Sequence, residues 1–218
     1  MEDRLLTFRF TLCVSLTLLT AIPTIALSAP TVIEMTENQS QVSKWNRFAD
    51  AIYVLHKKNI EGREIRETEE NGSWGGEFAK RFTFRDVSYH DVKSGRLLSR
   101  IRRDAEKPDN IQIIEVYIHD QSGRVTRDYA ALYLPWGRNA PVRTYINLHQ
   151  YREGLHGYRQ FDASGERLYE QCRGKLSGHE VDISLENYQI DSKVTSSEAY
   201  KSCFEDLPKT ADEYLVPH

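Results

Sequence analysis

The sequence predicts an α+β domain: an antiparallel β-meander of about eight or nine strands, packed against an N-terminal amphipathic helix and followed by a short C-terminal helix. The sheet is expected to be curved, or to form a partly open barrel. Three observations carry this reading. Apolar residues recur in steps of three and four from Val42 to His56, the period of one helix face. After Asn59 the period changes to two. A turn signature then recurs between alternating runs, as Asp91-Val92-Lys93-Ser94-Gly95, Asp120-Gln121-Ser122-Gly123 and Asp162-Ala163-Ser164-Gly165. Asp suits the first position of a type I turn, and Gly suits the left-handed residue that closes it. Connections this short force antiparallel neighbours, because a parallel crossover needs roughly a dozen residues.

The chain opens with Arg4 and Arg9, then an uncharged run from Phe10 to Ile22, broken by Pro23 and followed by Ala26-Leu27-Ser28. This is the charged, apolar and small-residue order of a signal peptide. Residues 1–28 are therefore expected to be cleaved on export to the periplasm or the secreted space. The run is shorter than the ~20 residues of a membrane helix, so no stable membrane span is expected afterwards. Residues 29–39 read as a flexible lead-in and 40–218 as one globular domain. Cleavage leaves 218 − 28 = 190 residues and removes two Arg with Glu2 and Asp3, so the net charge stays at −3. That mixed, near-neutral balance offers no basic face and argues against a nucleic-acid partner.

Within the domain, Ser40 is the expected cap of a helix reaching Lys58, with Trp45, Phe48 and Ile52 on its apolar face. Arg63–Glu67 reads as a polar edge strand, and Asn71-Gly72 as a turn. Phe82 and Phe84 lie in the opposite register to Val87 and Tyr89, which suggests a bulge near Arg85 or Asp86. Placing Asp120 opposite Arg124 sets Ile118 against Thr126, Val116 against Asp128 and Ile114 against Ala130. Later strands are expected at Val142–Leu148, Leu168–Cys172 and Val181–Leu185. Thr195-Ser196-Ser197-Glu198 has the form of a capping box, with Thr195 as cap. The turns locally resemble those of YD-type repeats, through Tyr89-His90-Asp91 with Ser94-Gly95-Arg96 and Phe161-Asp162 with Gly165. The intervals, 28 residues from Gly95 to Gly123 and 42 to Gly165, share no period, so the likeness is one of turn chemistry.

Cys13 lies in the signal segment. Cys172 and Cys203 remain, and an even pair in an oxidising compartment is expected to form a disulfide.

Motifs for catalysis are sparse. No Gly-x-Ser-x-Gly occurs, and the one Gly-Lys pair, Gly174-Lys175, is followed by Leu176, so it is no phosphate loop. No histidine stands at a zinc-type spacing from a cysteine, so neither a metal nor a cofactor is expected. His149 and His156 flank Arg152-Glu153-Gly154. With Gly154 as a bulge residue, Tyr151 pairs with Leu155 and His156 with Gln150, which sends the two histidines to opposite faces.

The segment 134–141 joins two strong strands, carries Pro135 and Pro141, and presents Trp136 beside Arg138. A stiff loop with an aromatic and a cation is a plausible anchor for a glycan, a peptide or a protein. The row Arg143, Tyr145, Asn147, His149 and Tyr151 alternates on one strand face behind it.

Three functions fit these features. The first is an exported, non-enzymatic binding or assembly module of the cell envelope or secreted space. Its partner would be a protein, a glycan or an apolar ligand, and its candidate residues are Trp136, Arg138, Arg143, Tyr145, His149 and Tyr151. The second is an envelope protein holding a lipid or other apolar ligand in the curved sheet. The third is an exported hydrolase with His149 or His156 as base.

Overall fold

A computed structural model describes residues 40–75, 82–134 and 141–218. The signal-peptide reading, the lead-in and the Trp136–Arg138 loop lie outside the described residues. Helix α1 (Ser40–Ile60) is followed by nine strands: β1 (Ile65–Trp74), β2 (Phe82–Asp91), β3 (Leu97–Asp104), β4 (Ile111–His119), β5 (Val125–Leu132), β6 (Arg143–Arg152), β7 (Leu155–Phe161), β8 (Arg167–Leu176) and β9 (His179–Glu186). Two short helices, α2 (Ser192–Thr195) and α3 (Glu198–Phe204), and single 3₁₀ turns complete the chain. All nine strands form one sheet in sequence order, and every neighbour is antiparallel. The sheet is open, with β1 and β9 as its edges.

The turns follow the chemistry that announced them. Gly95, Gly123, Gly154 and Gly165 all have positive φ, between 70° and 90°. Asp120 accepts from the amide of Arg124 at 3.0 Å, and Asp162 accepts from the amides of Ser164 and Glu166 at 2.8 and 2.9 Å.

One face of the sheet is apolar and covered. Phe48, Ile52 and Leu55 of α1 are buried against Ile101, Ile114, Val116, Tyr129 and Ala131, and Trp45 packs at the margin. The Trp45 indole donates to Ser164 Oγ at 3.0 Å. Helix α3 covers β6 and β7 through Tyr200, Cys203 and Phe204.

Several local expectations are corrected. Asn71-Gly72 is no turn: both lie within β1, which pairs without a break from Ile65↔Asp91 to Trp74↔Phe82. The register shift in β2 falls at Tyr89/His90, not at Arg85 or Asp86. Asp86 needs no bulge, because Arg102 neutralises it with two bonds of 2.9 and 2.7 Å. Ser40 is itself helical. Ser197, not Thr195, caps α3, its hydroxyl accepting from the Tyr200 amide at 3.2 Å. Thr195 instead ends α2, where its hydroxyl donates back to the Asp191 carbonyl at 3.0 Å. Cys172 lies inside β8, not at its end.

The β4–β5 register also differs by one residue. Ile118 pairs with Arg127, Val116 with Tyr129 and Ile114 with Ala131, because a bulge sits between Ile118 and His119. Without it, Asp128 and Ala130 would join Ile114 and Val116 under α1. A one-residue slip exchanges the faces. The bulge keeps Tyr129 and Ala131 in the core and turns Asp128 outward.

His56 is buried on the inner side of α1, with Nδ1 2.7 Å from Ser99 Oγ. Burial, then the nearby charges of Arg103 and Lys57, push its pKa down from 6.5 to about 4. The fold therefore holds the ring neutral, while the unfolded chain takes up the proton at higher pH. This contribution to stability is complete above pH 6.5 and is lost as pH falls toward 4. Urea unfolding at pH 7 and pH 4.5 should show wild type losing about 2 kcal/mol more than His56→Gln over that interval. Equal losses in the two proteins would remove His56 as the cause.

Candidate binding face

The opposite face of the sheet carries the side chains that alternate with the core. Neither α1 nor α3 packs on it, since both pack through the apolar face. In β6, Thr144, Ile146 and Leu148 point under the helices, while Arg143, Tyr145, Asn147, His149 and Tyr151 occupy the open side. The structure thus keeps the expected row together. Tyr145 and Arg143 touch, the guanidinium donating to the phenol oxygen at 3.4 Å. Trp136 and Arg138, expected beside this row, belong to 135–140 and are not described.

The β6–β7 turn corrects the expectation for the histidines. Arg152 pairs with Leu155 and Tyr151 with His156, so Glu153-Gly154 forms a two-residue loop. Both residues have positive φ, 49° and 85°, as a type I′ turn requires. A non-glycine residue in that region is uncommon, and the core explains why Glu153 adopts it. The alternative register would pair Ile146 with Gln160 and expel Leu155 and Phe161 from the interior. Both are buried here, at 3% and 1% exposure. Burial of those two side chains overrides the poor turn residue, and His149 and His156 consequently share one face.

They meet directly. His149 Nδ1 lies 3.0 Å from His156 Nε2, and His149 Nε2 lies 2.6 Å from Asp128 Oδ2. A carboxylate only accepts, so Nε2 of His149 carries the proton and its Nδ1 accepts from Nε2–H of His156. That leaves Nδ1 of His156 as an acceptor without a partner among the described residues. Asn147 donates to Asp128 at 2.7 Å, and Gln160 donates to Asn147 at 2.9 Å. The polar chain therefore runs Gln160, Asn147, Asp128, His149, His156 across three strands.

Aromatic rings run through the same place. Tyr151 stacks on His156 with centroids 4.4 Å apart and planes 4° from parallel. His149 lies 5.3 Å from His156 and reaches Tyr158 at 5.6 Å. Tyr158 reaches Tyr169 at 6.0 Å, and Arg124 closes the near end over Tyr151 at 5.0 Å. Burial raises the pKa of both Tyr151 and Tyr158, so these hydroxyls remain donors. Burial lowers that of His156, which keeps its ring neutral. Further along, Arg100 holds Glu115 with bonds of 2.8 and 3.0 Å, and Tyr117 donates to the same carboxylate at 2.8 Å.

Sequence reasoning missed Asp128, Tyr158, Tyr169 and Gln160 as members of this face. For Asp128 the cause is the one-residue slip at Ile118/His119. Tyr158 and Gln160 were lost to the slip at Glu153-Gly154. A usable signal was present: Leu155, Gly157, Arg159 and Phe161 alternate, so His156, Tyr158 and Gln160 must share the other face.

Cys172 and Cys203 form a disulfide, joining β8 to α3 with Cα atoms 5.9 Å apart. No described helix is long and apolar enough to cross a membrane. Among the described residues, no group of three or more His, Cys, Asp or Glu side chains is disposed to hold a metal ion. Compared with family models, with curated proteins and with solved structures, the chain matches none.

Proposed function

We propose that this chain is an exported binding module whose open sheet face takes a glycan. The observation that carries the reading is the ring row Tyr151, His156, His149, Tyr158 beside a free acceptor on His156 and the amides of Asn147 and Gln160. Aromatic rings supply rigid contact area, and the interleaved donors and acceptors suit a ligand dense in hydroxyl groups. The side chains are already held by one another, so little conformational entropy is lost when a ligand arrives. Arg143 and Tyr145 extend the row toward the start of β6. Export is supported by the apolar N-terminal run and by the Cys172–Cys203 disulfide.

A glycan array tests this, with hits quantified by titration. Wild type should retain a defined set of glycans. Tyr151→Ala should weaken them about tenfold, the loss of roughly 1.4 kcal/mol. Tyr151→Phe, which keeps the stack, should weaken them less. Binding should also fall once the pH is well below 6.5, because protonating His156, whose pKa burial lowers, removes its acceptor. An array without hits ends the proposal.

The Asp128–His149 pair supports a second reading, a hydrolase with His149 as base, because a carboxylate oriented on imidazole is how such bases are held. His149 hands its other nitrogen to His156 rather than to a hydroxyl or thiol nucleophile. Ester and glycoside turnover that disappears in His149→Gln would establish it. Turnover unchanged by that substitution would end it.

A further inference from the structure

A second concavity lies away from the open face, where β7 and β8 meet the C-terminal segment. It encloses about 780 Å³, within the 300–1,000 Å³ typical of small-molecule sites. Phe161, Ile190 and Phe204 give it apolar walls, and Arg159, Arg167, Lys201 and Lys209 bring four cations to it.

The partners of these charges decide what the cleft can hold. Arg159 is 2% exposed and turned to protein partners: it donates to Glu170, to the carbonyls of Leu207 and Pro208 at 2.8 and 2.7 Å, and to Tyr200 Oη at 3.4 Å. Glu170, 0% exposed, must serve Arg167 as well, through one contact of 3.4 Å. Two guanidinium groups thus share one carboxylate, and one positive charge is left over, on the part-exposed side of Arg167. Arg167 Nε is buried with no acceptor among the described residues. Lys201 and Lys209 are exposed at the rim and have no anionic partner among the described residues. The two carboxylates in the lining are engaged elsewhere. Asp191 accepts from the Val194 amide at 2.8 Å, and Glu205 faces Arg152 at 3.7 Å.

We propose that this cleft binds a small amphiphilic anion: a carboxylate, sulfonate or phosphate on an apolar body. The charged head lies among Arg167, Lys201 and Lys209, and the body lies against Phe161, Ile190 and Phe204. The site is independent of the sheet face, so either can fail alone.

The probe is 1-anilinonaphthalene-8-sulfonate, an aromatic sulfonate that fluoresces when bound, added to the mature, disulfide-bonded protein. Saturable binding is expected, displaced by decanoate or decyl phosphate but not by decanol or decylammonium. Lys201→Gln/Lys209→Gln, both on the surface, should weaken it about tenfold without changing the melting temperature. Tyr151→Ala should leave it intact. Vesicles of phosphatidylglycerol separate the sources. Displacement by decanoate without vesicle sedimentation assigns a free acid. Sedimentation abolished by the double lysine change assigns a lipid headgroup. Either result upholds the cleft. Absence of saturable binding, equal displacement by decylammonium, or full affinity in the double variant overturns it.

Discussion

Glu170→Ala should cost the fold about 3–5 kcal/mol, the loss expected when one partner of a buried ion pair is removed. Glu170 sits in β8 on the apolar face, completely buried, and accepts from Arg159, from Tyr200 Oη at 2.8 Å and from Arg167. Burial and the bond to Glu170 raise the Tyr200 pKa, so that hydroxyl stays a donor. Without the carboxylate, Arg159 remains charged in an apolar interior. Its other bonds, to the Leu207 and Pro208 carbonyls, cannot neutralise it. For a domain of this size each kcal/mol shifts the melting temperature by about 2–4 °C, so a drop of about 6–20 °C is expected. Replacing both partners, as Arg159→Met with Glu170→Leu, should recover part of the loss, because an unpaired charge costs more than an absent pair. Thermal and urea unfolding of the three variants provide the measurement. A loss below about 1 kcal/mol in Glu170→Ala would contradict this account of the cluster.

Removing the disulfide should have the next largest effect. Cys172 and Cys203 are 31 residues apart, and a loop of that size corresponds to about 3–4 kcal/mol in the chain-entropy model. The bridge acts where α3 has little room to shift. A Cβ placed on Gly157, which pairs with Cys172 in the sheet, would lie 2.3 Å from the Cys203 carbonyl oxygen. Helix α3 has only seven residues, too few to be stable unaided. Cys172→Ala/Cys203→Ala should therefore lower the melting temperature by about 6–16 °C and accelerate amide exchange in α3 before the sheet. Uniform exchange across the domain would show that the bridge does not act through α3. Peptide mapping without reductant should recover the two cysteines linked, and two freely alkylated thiols would refute the pairing.

The fold was legible where local rules decide it. Helix α1 declared itself by its apolar stripe, and the hairpins declared themselves by Asp and Gly at the positions where a turn needs an acceptor and a positive φ. One edge followed from the polarity of β1, but not whether the sheet closes. Register was not legible, because it is settled by which side chains the core will accept. At Ile118/His119 a bulge preserves Tyr129 and Ala131 beneath α1. At Glu153-Gly154 the burial of Leu155 and Phe161 imposes a positive φ that Glu would not choose alone. Each shift is one residue, and each moves a whole row between faces. That is why the row Arg143 to Tyr151 could be read from one strand, while its contacts with Asp128, His156 and Tyr158 could not. Arg159 and Glu170 were hidden differently: charged residues in strands read as solvent-facing, and only their mutual pairing permits them inside.

The proposal that the open face is the binding surface is tested most directly by tyrosine nitration with tetranitromethane, with and without a glycan retained on the array. Tyr145, Tyr151 and Tyr158 should be protected by the ligand, while Tyr188, at 85% exposure and not a member of the row, should react equally in both samples. Protection confined to other tyrosines, or none at all under saturating glycan, would contradict the assignment of binding to this face.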